Sequence, residues 1–167
     1  MNIKQFKVII IGAPGTGTSI LFNKLLNQSE YNQFDDEFGY QTVNYNNQTF
    51  KLQIWNTYRT FSHMRLSQHY YQNAQVVILV FSINESATLQ QCTQLIEEIK
   101  LSVSDVLIIL VGQQFTDQRQ ISIDEIIYFA EMNNMTYIEI SYLEDSQQQI
   151  NVLRQQIVAQ IIDQKLK

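Results

Sequence analysis

The stretch that decides the fold reads Gly12-Ala13-Pro14-Gly15-Thr16-Gly17-Thr18-Ser19. It follows a run from Phe6 to Ile11 that is apolar except at Lys7, and it precedes apolar residues at helical spacing from Ile20 to Leu26. A continuous apolar run predicts a strand buried on both faces, and the turn-forming residues after it predict a loop. The sequence therefore predicts a strand, a glycine-rich loop and a helix in succession, an arrangement that can cradle phosphate groups.

The same alternation of strand and helix continues to the end of the chain. Further strands are predicted over 40–45, 49–55, 76–81, 106–111 and 136–140, and helices over 62–72, 86–100, 122–132 and 147–162. Asn46-Asn47 predicts a two-residue hairpin turn, and Ser122 with Glu125 forms a capping-box pattern. This order predicts an α/β fold: a six-stranded, mostly parallel sheet with one antiparallel edge strand and helices on both faces. The length of 167 residues and the lack of a long linker predict a single domain over 1–167.

Composition excludes several classes of function. The net charge is -5 and no Lys/Arg cluster occurs, so we expect no nucleic-acid partner. The longest apolar run, 76–81, is too short to cross a bilayer. The single cysteine, Cys92, predicts a reducing, cytoplasmic location. The sequence as given ends Asp163-Gln164-Lys165-Leu166-Lys167, which lacks a cysteine for a prenyl anchor, so we expect no direct lipid anchor.

The glycine-rich loop departs from the phosphate-binding motif G-x-x-x-x-G-K-[ST] at one position. Gly12, Gly17 and Ser19 match, but Thr18 stands where the motif has lysine. That lysine is a point charge facing the phosphates, and a threonine hydroxyl is neutral. Ser19 could ligate Mg²⁺ only if a bound nucleotide supplied a phosphate for the ion to bridge.

Two segments carry a resemblance to a known family. Lys51-Leu52-Gln53-Ile54-Trp55 and the stretch from His69 to Phe81 resemble the Rab branch of the Ras superfamily of small GTPases. The resemblance runs from about Phe6 to Ile162. It implies the three-layer Ras-like fold of a P-loop NTPase, GTP or GDP with Mg²⁺ as ligands, and protein partners.

The resemblance also implies a nucleotide site whose motifs are altered here. The family's D-T-A-G-Q reads Asn56-Thr57-Tyr58-Arg59-Thr60, its N-K-x-D reads Gln113-Gln114-Phe115-Thr116, and its S-A-K reads Ser141-Tyr142-Leu143. Thr116 cannot replace a carboxylate that accepts two hydrogen bonds from guanine, and Tyr142 is large enough to enter the base pocket. No residue is therefore assigned a catalytic role. The vestigial nucleotide-binding positions are Gly12, Gly15, Gly17, Thr18, Ser19, Gln113, Thr116 and Ser141.

A set of aromatic residues survives where the motifs do not. The resemblance implies a partner-binding surface at Phe38, Trp55 and Tyr70, which Tyr58 and Phe61 would enlarge. Aromatic rings at such a surface are typical interface anchors, although the same rings could serve only to pack strands and helix.

Three hypotheses follow. In the first, the chain is an inactive GTPase-like protein that needs no cofactor and binds proteins as an adaptor or structural subunit of a larger complex, with its location (cytoskeletal, ciliary or vesicular) set by those partners. In the second, it is a divergent GTPase that still binds GTP or GDP with Mg²⁺ and hydrolyses GTP slowly or not at all, with Arg59 or a partner residue in place of the lysine. In the third, the Gly12–Ser19 loop alone binds some other nucleotide or anion.

Overall fold

A computed structural model describes residues 3–27, 38–57 and 68–165. The strands are β1 Lys4–Gly12, β2 Phe38–Tyr45, β3 Gln48–Asn56, β4 Ala74–Ser82, β5 Leu107–Gln114 and β6 Thr136–Ser141. The helices are α1 Thr18–Leu25, α2 Gln68–Tyr71, α3 Ser86–Ser102, α4 Ile123–Met132 and α5 Gln147–Lys165.

The six strands form one sheet in the order β2-β3-β1-β4-β5-β6. The β2–β3 pair is antiparallel and the other pairs are parallel. This confirms the predicted α/β fold with its antiparallel edge strand. Because β1, β3, β4, β5 and β6 run in the same direction, the loops that follow them meet at one edge of the sheet.

Helices cover the sheet on both faces, each over its own apolar core. Side chains of α1 and α5 pack against one face, around Val8, Ile10 and Leu153. Side chains of α2, α3 and α4 pack against the other, around Ile9 and Ile11. The central strands are covered on both faces, and for that reason they appear in the sequence as continuous apolar runs rather than alternating patterns.

Local sequence signals fix several boundaries. Asn46 and Asn47 both adopt positive φ, 47° and 60°, as a two-residue hairpin turn requires. The Ser122 side chain accepts a hydrogen bond from the Glu125 amide at 3.2 Å and begins α4. Of the predicted second helix, only the part from Gln68 onward is described; its remainder and the predicted loop over 29–37 lie outside the described residues. In the ranges that are described, no helix is long and apolar enough to cross a membrane.

A buried arginine joins the two helices on one face. Arg154 of α5 is 6% exposed and its guanidinium donates to the main-chain oxygens of Lys24 and Leu25 and to the side chain of Asn27. These acceptors lie at the end of α1, where carbonyls lack partners within the helix. The carbonyl end of the helix that carries the glycine-rich loop is therefore anchored to α5.

Candidate nucleotide site and aromatic surface

The glycine-rich loop between β1 and α1 keeps the backbone geometry of a phosphate cradle. Gly15 and Gly17 have φ of 82° and 85°, a region that side-chain-bearing residues rarely adopt. A Cβ at Gly12 would lie 2.8 Å from the Val80 carbonyl oxygen, so only glycine fits there. The Thr16 hydroxyl donates to the Ala13 carbonyl at 2.8 Å and closes the turn. Backbone and glycines are thus placed as the sequence predicted.

The position of the missing lysine is occupied by a buried, uncharged side chain. Thr18 is 5% exposed, and its methyl group lies 2.9 Å from the point where a Gly12 Cβ would be. The methyl group is thus turned in against the start of the loop, and no charge from this position faces the cradle. Ser19 follows at the first turn of α1 and is partly exposed.

The predicted metal ligand, Ser19, is already engaged by an amide. The Asn56 side-chain nitrogen donates to the Ser19 hydroxyl oxygen at 3.2 Å. That bond uses a lone pair of the oxygen that would have to coordinate Mg²⁺, and Asn56 brings no negative charge. Among the described residues, no group of three or more His, Cys, Asp or Glu side chains could hold a metal ion.

Gln113 at the end of β5 bridges the loop and the opposite wall of the site. Its side chain is fully buried. Its amide nitrogen donates to the Thr16 carbonyl at 2.6 Å, and its amide oxygen accepts from the Tyr142 hydroxyl at 2.5 Å. Both ends of this amide are therefore used by the protein itself.

Two aromatic rings close the space between the loop and the β6 end of the site. Phe115 and Tyr142 stack with ring centroids 5.0 Å apart and an interplanar angle of 7°. The Phe115 ring lies so close to Gly17 that a Cβ there would be 2.5 Å from it. Burial raises the pKa of the Tyr142 phenol, which keeps the hydroxyl a neutral donor to Gln113.

The remaining predicted residues are held by local contacts. Asn84 accepts from the main-chain amides of Phe115 and Thr116 at 2.8 and 3.2 Å, and its own amide donates to the Thr116 carbonyl at 3.0 Å. Thr116 itself is exposed. The Ser141 amide donates to Gln149, and its hydroxyl accepts from the Leu143 amide at 3.4 Å.

Comparisons with known proteins identify the family. The family model "Ras family" matches residues 7–163. The chain belongs to the Ras family. It is 33% identical over 149 residues to the Ras-related protein Rab-1 of Theileria parva, a match covering 84% of this chain and 68% of that protein. It is 28% identical over 148 residues to the GTP-binding protein YPT1 of Saccharomyces cerevisiae, covering 84% and 72%. It is also 28% identical over 145 residues to the Ras-related protein Rab-4B of Rattus norvegicus, covering 83% and 68%.

This Ras-family chain brings together the residues that the sequence assigned to a vestigial site. Gly12, Gly15, Gly17, Thr18, Ser19, Gln113, Thr116 and Ser141 all lie at the edge of the sheet where the parallel strands end. Sequence reasoning missed the stack of Phe115 on Tyr142, the Gln113 bridge, and Asn84. Phe115 occupies the unspecified position of its motif, so no motif signal marks it.

The predicted partner-binding aromatics also lie together in this Ras-family chain. Phe38 pairs with Trp55 across the β2–β3 ladder, and their rings stack at 4.7 Å. Tyr70 meets Trp55 edge-on at 6.0 Å, and Tyr40 and His69 extend the group. We call these five residues the aromatic surface; Phe38 and Tyr40 are 39% and 47% exposed, and His69 is exposed as well. Tyr58, Arg59, Phe61 and His63 lie outside the described residues.

Proposed function

We propose that this Rab-like chain works without bound nucleotide, as a protein-binding adaptor or structural subunit that keeps the Ras-like scaffold and has lost GTPase activity. The observation that carries the proposal is the stack of Phe115 on Tyr142, held by Gln113. These side chains lie between the phosphate loop and the two loops that, in the family, recognise the guanine base. A nucleotide would have to displace the stacked pair and break the hydrogen bond from Tyr142 to the buried amide of Gln113.

The chemistry of the remaining positions supports the same conclusion. Thr18 supplies no charge to phosphate, and Thr116 lacks a carboxylate. The Asn56 amide donates a hydrogen bond to the Ser19 hydroxyl that would have to ligate Mg²⁺. Each hydrogen bond to a charged group contributes about 1.5–3 kcal/mol, so losing the lysine contact and two carboxylate–guanine bonds removes several kcal/mol of affinity if the contributions add. A nanomolar site, at about -12 kcal/mol, would become micromolar or weaker.

The aromatic surface is the part of the molecule that we propose binds a protein partner. Ras-family proteins interact with protein effectors, and large aromatic side chains are the usual anchors of such interfaces. We propose that Phe38, Trp55 and Tyr70, together with Tyr58, bind a protein partner in a larger assembly. We also propose an intracellular location, which such a partner would determine.

A thermal-shift experiment tests the proposal. Wild-type protein is melted with and without micromolar GTP or GDP and excess Mg²⁺, beside a variant with Thr18→Lys, Asn56→Asp, Thr116→Asp and Tyr142→Ala. Micromolar nucleotide is about a thousandfold above a nanomolar Kd but does not exceed a micromolar one. A ligand at about a thousandfold above its Kd stabilises by about 4 kcal/mol, which for a domain of this size raises Tm by about 8–16 °C. We expect no shift for the wild type, and a shift of that size would refute the proposal. A shift in the rebuilt variant alone would show that the scaffold still accepts nucleotide once the site is restored.

A second candidate function rests on the backbone of the glycine-rich loop. Gly15 and Gly17 keep the positive φ that lets amides point at an anion, and Ser19 is present. A divergent GTPase that still binds GTP or GDP with Mg²⁺, and hydrolyses GTP slowly or not at all, would use this backbone, with Arg59 or a partner residue supplying the charge. The same melting experiment on an Arg59→Ala variant distinguishes it, because any nucleotide-dependent shift should then disappear.

A further inference from the structure

One lysine lies at the centre of the contacts beneath the aromatic surface. The Lys7 ammonium group is 4.6 Å from the centroid of the Trp55 ring, and it donates to the Gln72 carbonyl at 2.9 Å and, at 3.4 Å, to that of His69. A lysine has three N–H donors, so one donor and the charge remain for another acceptor. Lys7 forms no ion pair within the described residues.

A second lysine repeats the arrangement on the neighbouring strands. The Lys51 ammonium group lies 3.9 Å from the centroid of the Tyr40 ring, a distance at which the ring attracts a cation. Lys51 also lacks a carboxylate partner in the described part of the chain. Gln53 of β3 pairs with Tyr40 on one side and with Lys7 on the other. Lys51 lies two positions before Gln53 on the same strand, so both lysines lie in the same part of the sheet.

Acidic side chains are absent from this part of the described structure. The described residues from 3 to 75 contain no Asp or Glu, whereas every acidic residue described lies between Glu85 and Asp163. The chain as a whole has a net charge of -5. Two cations without a carboxylate partner in the described ranges therefore lie beside the aromatic surface; Asp35, Asp36 and Glu37, which precede Phe38 in the sequence, lie outside those ranges.

A cavity opens next to Lys7. It holds about 330 Å³ and is lined by Lys7, Trp55, His69 and amide side chains of β1, β3, the turn after α2 and the start of β4. Water occupies about 30 Å³ per molecule in the liquid, so the cavity has room for an acidic side chain with accompanying water.

We propose that the partner of the aromatic surface is an acidic protein segment, and that one of its carboxylates enters the cavity to pair with Lys7 while another pairs with Lys51. The inference rests on the proposed docking role and adds the chemistry of the partner. An acidic partner complements the two unpaired lysines, whereas a basic one would be repelled by both. A neutral apolar partner would cover the lysines without replacing the water around them, which costs free energy.

Selection from a display library of short random peptides tests this. The full chain is the target, and binding of each selected peptide is then measured by fluorescence anisotropy. We expect the peptides to combine Asp or Glu with large apolar residues, and Trp55→Ala to weaken them. Lys51→Gln and Lys7→Gln should each weaken binding by about two- to fivefold, as for partly exposed charge pairs. Raising the salt from about 50 to about 300 mM should weaken it further.

A matched control separates the local effect from net charge. Lys100→Gln removes the same charge from the exposed end of α3 and should leave the affinities unchanged. Lys7 also donates to the carbonyls of His69 in α2 and of Gln72 just after it, so the folding of Lys7→Gln is checked by circular dichroism. If Lys7→Gln unfolds, Lys51→Gln alone tests the inference.

Two results would overturn the inference, and they differ in meaning. Selected peptides that need Trp55 but are not enriched in Asp or Glu, or that ignore both lysine substitutions, would exclude an acidic partner and leave the docking role intact. If no selected peptide is weakened by Trp55→Ala, the docking role fails and the acidic partner fails with it.

Discussion

Replacing Tyr142 by Phe should lower the free energy of unfolding of the nucleotide-free protein by the cost of leaving one buried acceptor without its donor. The substitution keeps the ring and its stack on Phe115 but removes the hydroxyl that donates to Gln113. Gln113 is fully buried, and among the described residues Tyr142 is the only donor to its amide oxygen. A buried acceptor left without a partner costs about 1–3 kcal/mol, which lowers Tm by about 2–12 °C in a domain of this size.

Thermal and urea unfolding in nucleotide-free buffer would measure the difference. Tyr128→Phe is the matched control, because it removes the same atom from a ring that is 65% exposed on α4. Surface substitutions of that kind change stability by less than about 0.5 kcal/mol. If Tyr142→Phe is as stable as Tyr128→Phe, the Tyr142–Gln113 bond is not part of the native protein, and the account of a site closed by its own side chains is wrong.

Three further outcomes are expected. Arg154→Ala should cost about 2–4 kcal/mol in urea unfolding, because it leaves the buried Leu25 carbonyl without its donor and removes the bonds to Lys24 and Asn27. Arg119→Ala removes a partly exposed pair with Glu139 and one hydrogen bond to the Ile121 carbonyl and should cost less, about 1–2 kcal/mol. Burial alone would raise the pKa of Glu139, but hydrogen bonds from Arg119 and Tyr137 outweigh it and lower that pKa. Its contribution to stability is therefore present above the unfolded pKa of about 4.3 and lost as the pH falls below it, and Glu139→Gln should flatten that part of the stability curve. Burial raises the pKa of the Cys92 thiol to about 12, so thiol reagents at pH near 8 should label it only after denaturant unfolds the chain, and rapid labelling of the native protein would contradict its burial.

The fold could be predicted from the sequence because its strands are apolar runs separated by turn chemistry. The run from Phe6 to Ile11 became β1, and Asn46-Asn47 became the hairpin turn, because each depends on local rules of burial and backbone angle. Ser122 began α4 for the same reason. The positions of the candidate nucleotide site followed from these elements, since loops after parallel strands meet at one edge of the sheet.

The contacts that close the site could not be predicted, because they depend on where loop side chains point. Phe115 and Tyr142 are 27 positions apart in sequence, and no periodicity relates the directions of two rings in different loops. The Asn56–Ser19 bond joins a changed motif residue to the predicted metal ligand, and only the fold shows that the two bond to each other. Lys7 interrupts an apolar strand, and its contact with Trp55 depends on the register of β1 against β3.

The most direct test of a nucleotide-free site is the nucleotide content of the purified protein. The chain is purified without added nucleotide, denatured, and the released small molecules are separated and quantified, with the variant carrying Thr18→Lys, Asn56→Asp, Thr116→Asp and Tyr142→Ala treated in parallel. The account predicts that the wild type releases no GDP or GTP. Release of GDP or GTP in an amount close to that of the protein itself would contradict it, and would show that the stacked pair yields to nucleotide in the native protein.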